Sequence, residues 1–284
     1  MDATDSLVAV APGVRLHVRR WAGGRPPAFL LVHGLSSNAR LWDEVAARIA
    51  RAGHAAYAVD LRSHGESDQP AEGYDTATAA ADLAALAGAL GLGKVIVAGQ
   101  SWGGNVAVRL AAEQPELVAG LGLVDGGWID LTADFGSWEE CAAALRPPDL
   151  DGTRVSQIRG WLWRAHPDWS ATAIEATVAN LRVAPDGTLT RRLPIPQHMR
   201  IVRSMWDDPP GRYLSAVAAP TLLLPAIPRN DPRRAERARS RVVAAAAVLP
   251  AATIREYADS DHDLHAQHPD RVAADLLSLA DGPS

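Results

Sequence analysis

The chain has 284 residues, of which 48% are hydrophobic and 21% are charged, a composition that excludes disorder and is typical of a globular protein. A single cysteine, Cys141, excludes a disulfide framework and any metal site built from several cysteines. The net charge of −5 predicts no nucleic-acid partner and no anionic-membrane patch. No apolar run reaches the roughly 18 residues of a spanning helix, and the first residues are acidic where a signal peptide is basic. We therefore expect a soluble, cytoplasmic protein.

Strand-like and helix-like segments alternate along the first part of the chain. Apolar runs predict strands over 14–21, 28–32, 55–59, 95–98 and 118–124. Helical spacing and helix-ending glycines predict helices over 38–52, 76–90 and 103–113. Strands that alternate with helices imply a mostly parallel sheet with helices on both faces, so the predicted fold class is α/β.

The alternation stops between about residues 128 and 210, where no strand is evident and six of the nine tryptophans fall. It resumes with strands over 221–224 and 253–257 and helices over 232–248 and 269–279. We therefore predict a core formed by 1–127 and 211–284, with a helical cap inserted over 128–210. The six arginines of segment 229–241 are interpreted as an exposed helix face rather than an anion site.

The strongest chemical signal is the segment Gly99-Gln100-Ser101-Trp102-Gly103, which matches the G-x-S-x-G pattern of a nucleophile elbow. A predicted strand precedes it and a predicted helix follows. Such a serine sits on a sharp turn with strained backbone geometry, so its neighbours at two residues before and after need to be glycine. The turn exposes the hydroxyl and directs the helix N-terminus at developing negative charge.

A serine hydroxyl needs an adjacent base, and His262 follows the last predicted strand, in the order expected for this pattern. A zinc site formed by His262, His265 and His268 is the alternative, although a helical segment would rotate His268 away from the other two. An oxyanion needs backbone donors, and the glycine after His33 permits a tight turn. We assign the oxyanion hole to the backbone amides of Leu35 and Trp102.

Four segments together resemble the α/β-hydrolase superfamily: 32–34, 60–67, 99–104 and 262–265. The resemblance implies a capped α/β-hydrolase fold and a hydrolytic reaction without metal or organic cofactor. Haloalkane dehalogenases and soluble epoxide hydrolases share this scaffold but use an aspartate nucleophile, so Ser101 argues against both. The counterpart of segment 60–67 in the family is framework; the alternative is that His64 or Arg62 touches substrate.

The acid of the triad departs from the common family pattern. Most relatives carry it a few residues after the strand predicted at 221–224, which falls at about Arg229 here, and an arginine cannot orient an imidazolium. Asp231 follows two residues later. Asp125 ends the preceding strand, where some members of the family place their acid, and two glycines after it allow close approach. We favour Asp125 and keep Asp231 as the alternative.

These residues predict a serine hydrolase that cleaves a small to medium apolar carboxylic ester or lactone through Ser101, His262 and Asp125. The aromatic-rich cap suggests an apolar pocket, with Trp128, Trp163 and Trp206 as substrate-binding candidates. Two alternatives stay open: an amidase or aminopeptidase of the same fold, and a ligand-binding sensor with slow turnover. The oligomeric state is not predicted.

Overall fold

An eight-stranded sheet forms the centre of the computed structural model, which describes residues 2–150 and 152–281. The strands in chain order are β1 (Thr4–Ala11), β2 (Val14–Trp21), β3 (Arg25–Val32), β4 (His54–Val59), β5 (Val95–Gln100), β6 (Val118–Val124), β7 (Leu181–Val183), β8 (Leu189–Arg191), β9 (Thr221–Leu224), β10 (Ala226–Ile227), β11 (Ala252–Ile254) and β12 (Tyr257–Ala258). The sheet order is β1-β2-β4-β3-β5-β6-β9-β11. Strands β1 and β2 pair antiparallel with their neighbours, and the other pairs are parallel.

Helices cover both faces of this sheet. In chain order they are α1 (Asp43–Arg51), α2 (Thr76–Ala89), α3 (Trp102–Glu113), α4 (Trp138–Leu145), α5 (Val155–Ala165), α6 (Ala171–Val178), α7 (Ile195–Asp207), α8 (Pro232–Val248), α9 (Leu264–Gln267) and α10 (Pro269–Leu277). Successive side chains of β3 enter different cores: Leu30 and Val32 join the one with α2 and α3, whereas Phe29 and Leu31 join the one with α1 and α10. This alternation confirms the predicted α/β class with a sheet covered on both faces.

Two expectations about the elements were wrong, and one strand was not predicted. The cap segment is not wholly helical, because β7 and β8 form a short antiparallel hairpin beside α4 to α7. The single strand predicted over 253–257 is two, β11 and β12, which pair with different partners. Strand β1 was not predicted; it is an edge strand with largely exposed side chains, although residues 7–11 form a short apolar run. Within the described ranges, no helix combines the length and apolarity needed to cross a membrane.

Candidate active site

Ser101 lies in the tight turn between β5 and α3. Its backbone has φ 53° and ψ −126°, a strained conformation for a residue with a side chain. A Cβ atom built on Gly99 would lie 2.2 Å from the carbonyl oxygen of Gly103, and one on Gly103 would lie 2.4 Å from the carbonyl oxygen of His33. Neither position has room for a side chain, so packing around the serine requires both glycines of the motif.

The loop after β6 packs directly against this turn. A Cβ atom on Gly126 would lie 2.2 Å from the carbonyl oxygen of Ser101, and the Ser101 amide donates a 3.1 Å hydrogen bond to the carbonyl oxygen of Val124. Asp125 lies in the chain between Val124 and Gly126, the residues that make these two contacts. Its φ of 42° falls in the left-handed region, which aspartate tolerates better than most residues. The close approach expected from the glycines after Asp125 is therefore observed.

Asp125 and His262 form a hydrogen-bonded pair, with Nδ1 of the ring 2.6 Å from Oδ2 of the carboxylate. The second carboxylate oxygen accepts a 3.0 Å hydrogen bond from the Ala226 amide, which fixes the carboxylate's orientation. Burial disfavours the charged form of His262, but the hydrogen bond and charge of Asp125 outweigh it, and the pKa of His262 is raised. The His262 side chain is 46% exposed, so its ring remains accessible.

The alternative acid, Asp231, serves a different purpose. Its carboxylate caps the N-terminus of α8 by accepting a 2.9 Å hydrogen bond from the Arg234 amide. Arg229, at the family's usual acid position, forms a 2.5 Å ion pair with Asp259. In the described part of the chain, Asp125 is thus the candidate acid that meets the histidine.

The loop 33–36 lies on another side of Ser101. A Cβ atom on Gly34 would lie 2.9 Å from Cβ of Ser101. Across the described residues, the amides of Leu35 and Trp102 donate no hydrogen bond to another protein group, and Trp102 begins α3, where amides lack helical partners. Two unpaired donors beside the serine have the chemistry that an oxyanion hole needs.

Three neutral histidines hold the loop 33–36. The Leu61 amide donates to His33 Nε2 at 3.0 Å, and the Ser36 amide donates to His64 Nε2 at 3.2 Å. From the cap, His198 places Nδ1 2.8 Å from the Ser36 hydroxyl oxygen. Burial lowers the pKa of all three rings, that of His64 to about 3. Each ring therefore stays uncharged and keeps one nitrogen as an acceptor.

The segment 60–67 has the framework contacts that the resemblance implies. The Asp60 carboxylate accepts hydrogen bonds from the amides of Ala39 and Glu66, at 2.6 and 3.0 Å, and from the His17 ring at 2.7 Å. Sequence reasoning missed the contact of His198 with the loop 33–36. The two residues of that hydrogen bond are 162 positions apart, and no local pattern connects them.

The three candidate substrate-binding tryptophans lie in different environments. Trp128 lines a cavity together with His262. Trp206 packs edge-on against Trp138, with ring centroids 6.2 Å apart. Trp163 is 42% exposed. Of the three, Trp128 is the one that borders the cavity beside the histidine.

The alternative zinc triad is not assembled. His265 is buried against Trp42, with ring centroids 4.4 Å apart, and His268 Nε2 lies 2.9 Å from the Ser260 hydroxyl oxygen. Among residues 2–150 and 152–281, no group of three or more His, Cys, Asp or Glu side chains is placed to hold a metal ion.

The serine and the histidine are close but not joined. The Gln100 side chain donates a 3.2 Å hydrogen bond to the backbone carbonyl oxygen of His262, which ties the histidine loop to the residue before Ser101. Among the described residues, no hydrogen bond connects the Ser101 hydroxyl to the His262 ring, whose Nδ1 is held by Asp125. Catalytic hydrogen bonds often tighten only when substrate binds, and we expect this one to form in the complex with substrate.

Comparison with known proteins identifies the family. A family model described as the alpha/beta hydrolase fold matches residues 27–269, and the chain belongs to that family. The fold is also that of the crystal structure of E-2-(acetamidomethylene)succinate hydrolase, with a TM-score of 0.78, 21% identity and coverage of 99% of this chain and 100% of that one. The thioesterase domain from the curacin biosynthetic pathway gives a TM-score of 0.78, 18% identity and coverage of 98% and 100%.

Curated relatives match over shorter segments. An esterase of Mycobacterium tuberculosis is 42% identical over 107 residues, which are 37% of this chain and 35% of the relative. The N-formylmaleamate deformylase of Pseudomonas putida is 40% identical over 118 residues, 40% of this chain and 42% of the relative. The chain thus spans less than half the length of these relatives.

Proposed function

We propose that the protein is a serine hydrolase that cleaves a small to medium carboxylic ester or lactone through a triad of Ser101, His262 and Asp125. The observation that carries the proposal is the 2.6 Å hydrogen bond between Asp125 and His262, next to a serine held in an elbow turn. A carboxylate, an imidazole and a hydroxyl in this order activate the hydroxyl oxygen as a nucleophile.

In the first half of the reaction, Oγ of Ser101 attacks the acyl carbon and Nε2 of His262 takes the hydroxyl proton. This transfer needs Oγ of Ser101 and Nε2 of His262 to come within hydrogen-bonding distance when substrate binds. The carboxylate of Asp125 keeps the Nδ1 proton in place and stabilises the imidazolium. The amides of Leu35 and Trp102 donate to the oxyanion of the tetrahedral intermediate, and each such donor contributes on the order of a hundredfold or more to the rate.

In the second half, the tetrahedral intermediate collapses to an acyl-enzyme and His262 gives its proton to the leaving oxygen. A water molecule then attacks the acyl carbon while His262 takes a proton from it. The second tetrahedral intermediate collapses, the carboxylic acid leaves, and the proton returns to Ser101. Every proton is exchanged through His262, so the reaction needs no metal or organic cofactor.

The apolar character expected of the substrate has one structural support. The cavity beside His262 has an apolar wall that includes Trp128, Ile129 and Pro228. These side chains suit the hydrocarbon part of a small ester or lactone. The known enzymes named above include an esterase, which is consistent with the proposed bond.

Fluorophosphonate labelling tests the proposal without knowledge of the substrate. The purified protein is incubated with the reagent and its intact mass is measured, with Ser101→Ala as the matched control. We expect one adduct on the wild type and none on the variant. A wild-type protein that stays unlabelled and hydrolyses no member of an ester and lactone panel would refute the proposal.

A second candidate is amide hydrolysis by the same residues. It is favoured by the similarity to a protein named N-formylmaleamate deformylase, which is 40% identical over 118 residues. Matched ester and amide substrates with the same acyl group separate the two. A higher kcat/KM on the amide would favour the second candidate, because amides are intrinsically less reactive than esters.

A further inference from the structure

A cavity of about 400 Å³ opens beside the Asp125–His262 pair. Its lining includes the apolar side chain of Trp128, the arginines that α8 contributes at 234, 237 and 241, and three aspartates. A volume of this order holds a small molecule. The cavity is therefore large enough for part of a substrate and offers both apolar and charged groups.

The three arginines follow from the helical spacing of α8. Positions 234, 237 and 241 are three and four residues apart, so they share one helix face. Arg239 lies on a different face and pairs with Glu256 at 3.1 Å. Residues 233, 234, 236 and 237 are exposed, which agrees with the interpretation of segment 229–241 as an exposed helix face, and one side of that face borders the cavity.

Two of these arginines have no anionic partner. Arg241 is held by Asp134 through hydrogen bonds of 2.5 and 3.0 Å. By contrast, the side chains of Arg234 and Arg237 make no hydrogen bond or ion pair among the described residues. Both line the cavity, are exposed to solvent and lack a direct protein partner within the described ranges.

The carboxylates that line the cavity are already engaged. Asp125 holds His262, and Asp261 lies 3.0 Å from Nδ1 of His166. Asp134, the third carboxylate that lines the cavity, pairs with Arg241. Two free guanidinium groups therefore remain for a ligand, and guanidinium binds carboxylate through two parallel hydrogen bonds.

We infer that this cavity binds a carboxylate group of the substrate, held by Arg234 and Arg237. The inference rests on the proposed function and makes it more specific: the preferred ester carries a second, ionised carboxyl group on an apolar body. The location supports this, because His262 lines the cavity and Asp125 adjoins Gly126, which packs on the backbone of Ser101. A molecule in the cavity thus contacts the Asp125–His262 pair.

Matched substrates test the charge requirement. Monomethyl glutarate is compared with a neutral analogue in which a methyl ketone replaces the carboxylate, and 4-acetoxybenzoate with 4-acetoxybenzamide. The two pairs place the carboxylate on the acyl and on the leaving side. We expect the wild type to prefer the charged member of at least one pair by about tenfold or more in kcat/KM, the effect of a charge-assisted hydrogen bond.

Variants test whether the arginines cause that preference. Arg234→Gln and Arg237→Gln should each reduce it about tenfold while hardly changing kcat/KM for the neutral member. The matched control is Arg233→Gln, which removes the same charge from the same helical turn at a residue that does not line the cavity. A preference that survives in both cavity variants would overturn the inference, as would equal losses in the control.

A binding measurement keeps the inference separate from the proposed function. Glutarate is titrated into Ser101→Ala, alone and combined with each arginine substitution, by calorimetry. Binding that requires Arg234 and Arg237 but not Arg233 supports the carboxylate site even if no ester is hydrolysed. If sulfate binds equally well and no ester pair shows a charge preference, the cavity is a general anion site and the substrate assignment is wrong. If glutarate does not bind, the carboxylate site itself is refuted.

Discussion

Replacing Asp125 by asparagine tests the triad directly, because the substitution keeps the side chain's size and removes its charge. The oxygen that accepts from the Ala226 amide at 3.0 Å can stay, so the loop after β6 should keep its position. The 2.6 Å hydrogen bond to His262 Nδ1 loses its carboxylate. In serine proteases the equivalent change costs about 10⁴-fold in kcat. Because the His262 side chain is 46% exposed, water can partly solvate the imidazolium, and we expect a loss of about 10³-fold, or about 4 kcal/mol.

The assay is kcat for a chromogenic acetate ester, with thermal unfolding to verify that the variant is folded. Asp231→Asn is the matched control. It makes the same chemical change at the other candidate acid, and asparagine caps a helix about as well as aspartate does. We expect the control to retain activity within a factor of about two. If Asp125→Asn keeps a tenth of the wild-type kcat, or if Asp231→Asn loses as much as Asp125→Asn, the assignment of the acid is wrong.

Three further predictions concern the ring, the turn and the loop around the serine. Since the pKa of His262 is raised above 6.5 and the base must be neutral, kcat/KM should rise with pH through a midpoint above 6.5; a midpoint below 6.5 would contradict this. Gly126→Ala places a Cβ atom 2.2 Å from the Ser101 carbonyl oxygen, and denaturant unfolding should show a loss of about 2–4 kcal/mol, whereas an unchanged midpoint would disprove the clash. Ser36→Ala removes the hydroxyl that meets His198, and kcat should fall about tenfold with KM nearly unchanged; a change in KM alone would refute a role in positioning the oxyanion donors.

The nucleophile turn could be predicted from the sequence because its requirements are local. A strand, a serine with φ above zero and a helix occupy consecutive residues. The contacts that exclude a side chain at Gly99 come from Gly103 and the residue after it, and those at Gly103 come from the end of the adjacent strand β3. The parallel sheet was predictable for a similar reason, since each buried strand is a continuous apolar run.

The acid could not be decided from the sequence, because its identity depends on which loop reaches the histidine. Asp125 and Asp231 both follow a predicted strand, and both were plausible. The contact that distinguishes them joins residues 137 positions apart. The signal that favoured Asp125 was the pair of glycines after it, and the structure gives its cause: Gly126 packs on the Ser101 backbone without room for a side chain.

The segment 128–210 was the hardest part to predict, because its contacts with the rest of the chain join residues distant in sequence. The hairpin of β7 and β8 has three residues in each strand, too few for a periodic pattern. The hydrogen bond from the cap to the loop 33–36, through His198, depends on how α7 lies over the core. Composition showed that the cap is rich in tryptophan but not that Trp163 is exposed while Trp128 borders the cavity.

The position of the acid and the charge of the cavity are connected. In most relatives an acid follows the strand that corresponds to β9, where this chain has Arg229, and a carboxylate there would bring negative charge to the loop that leads into α8. Here the proposed acid, Asp125, stands after β6, and Arg229 pairs with Asp259. The face of α8 that carries Arg234 therefore borders the cavity beside His262 without a carboxylate from that loop in the cavity lining. The same departure from the family pattern that made the acid ambiguous in the sequence leaves two arginines that lack a direct partner among the described residues in the cavity beside His262, where we propose that a substrate carboxylate binds.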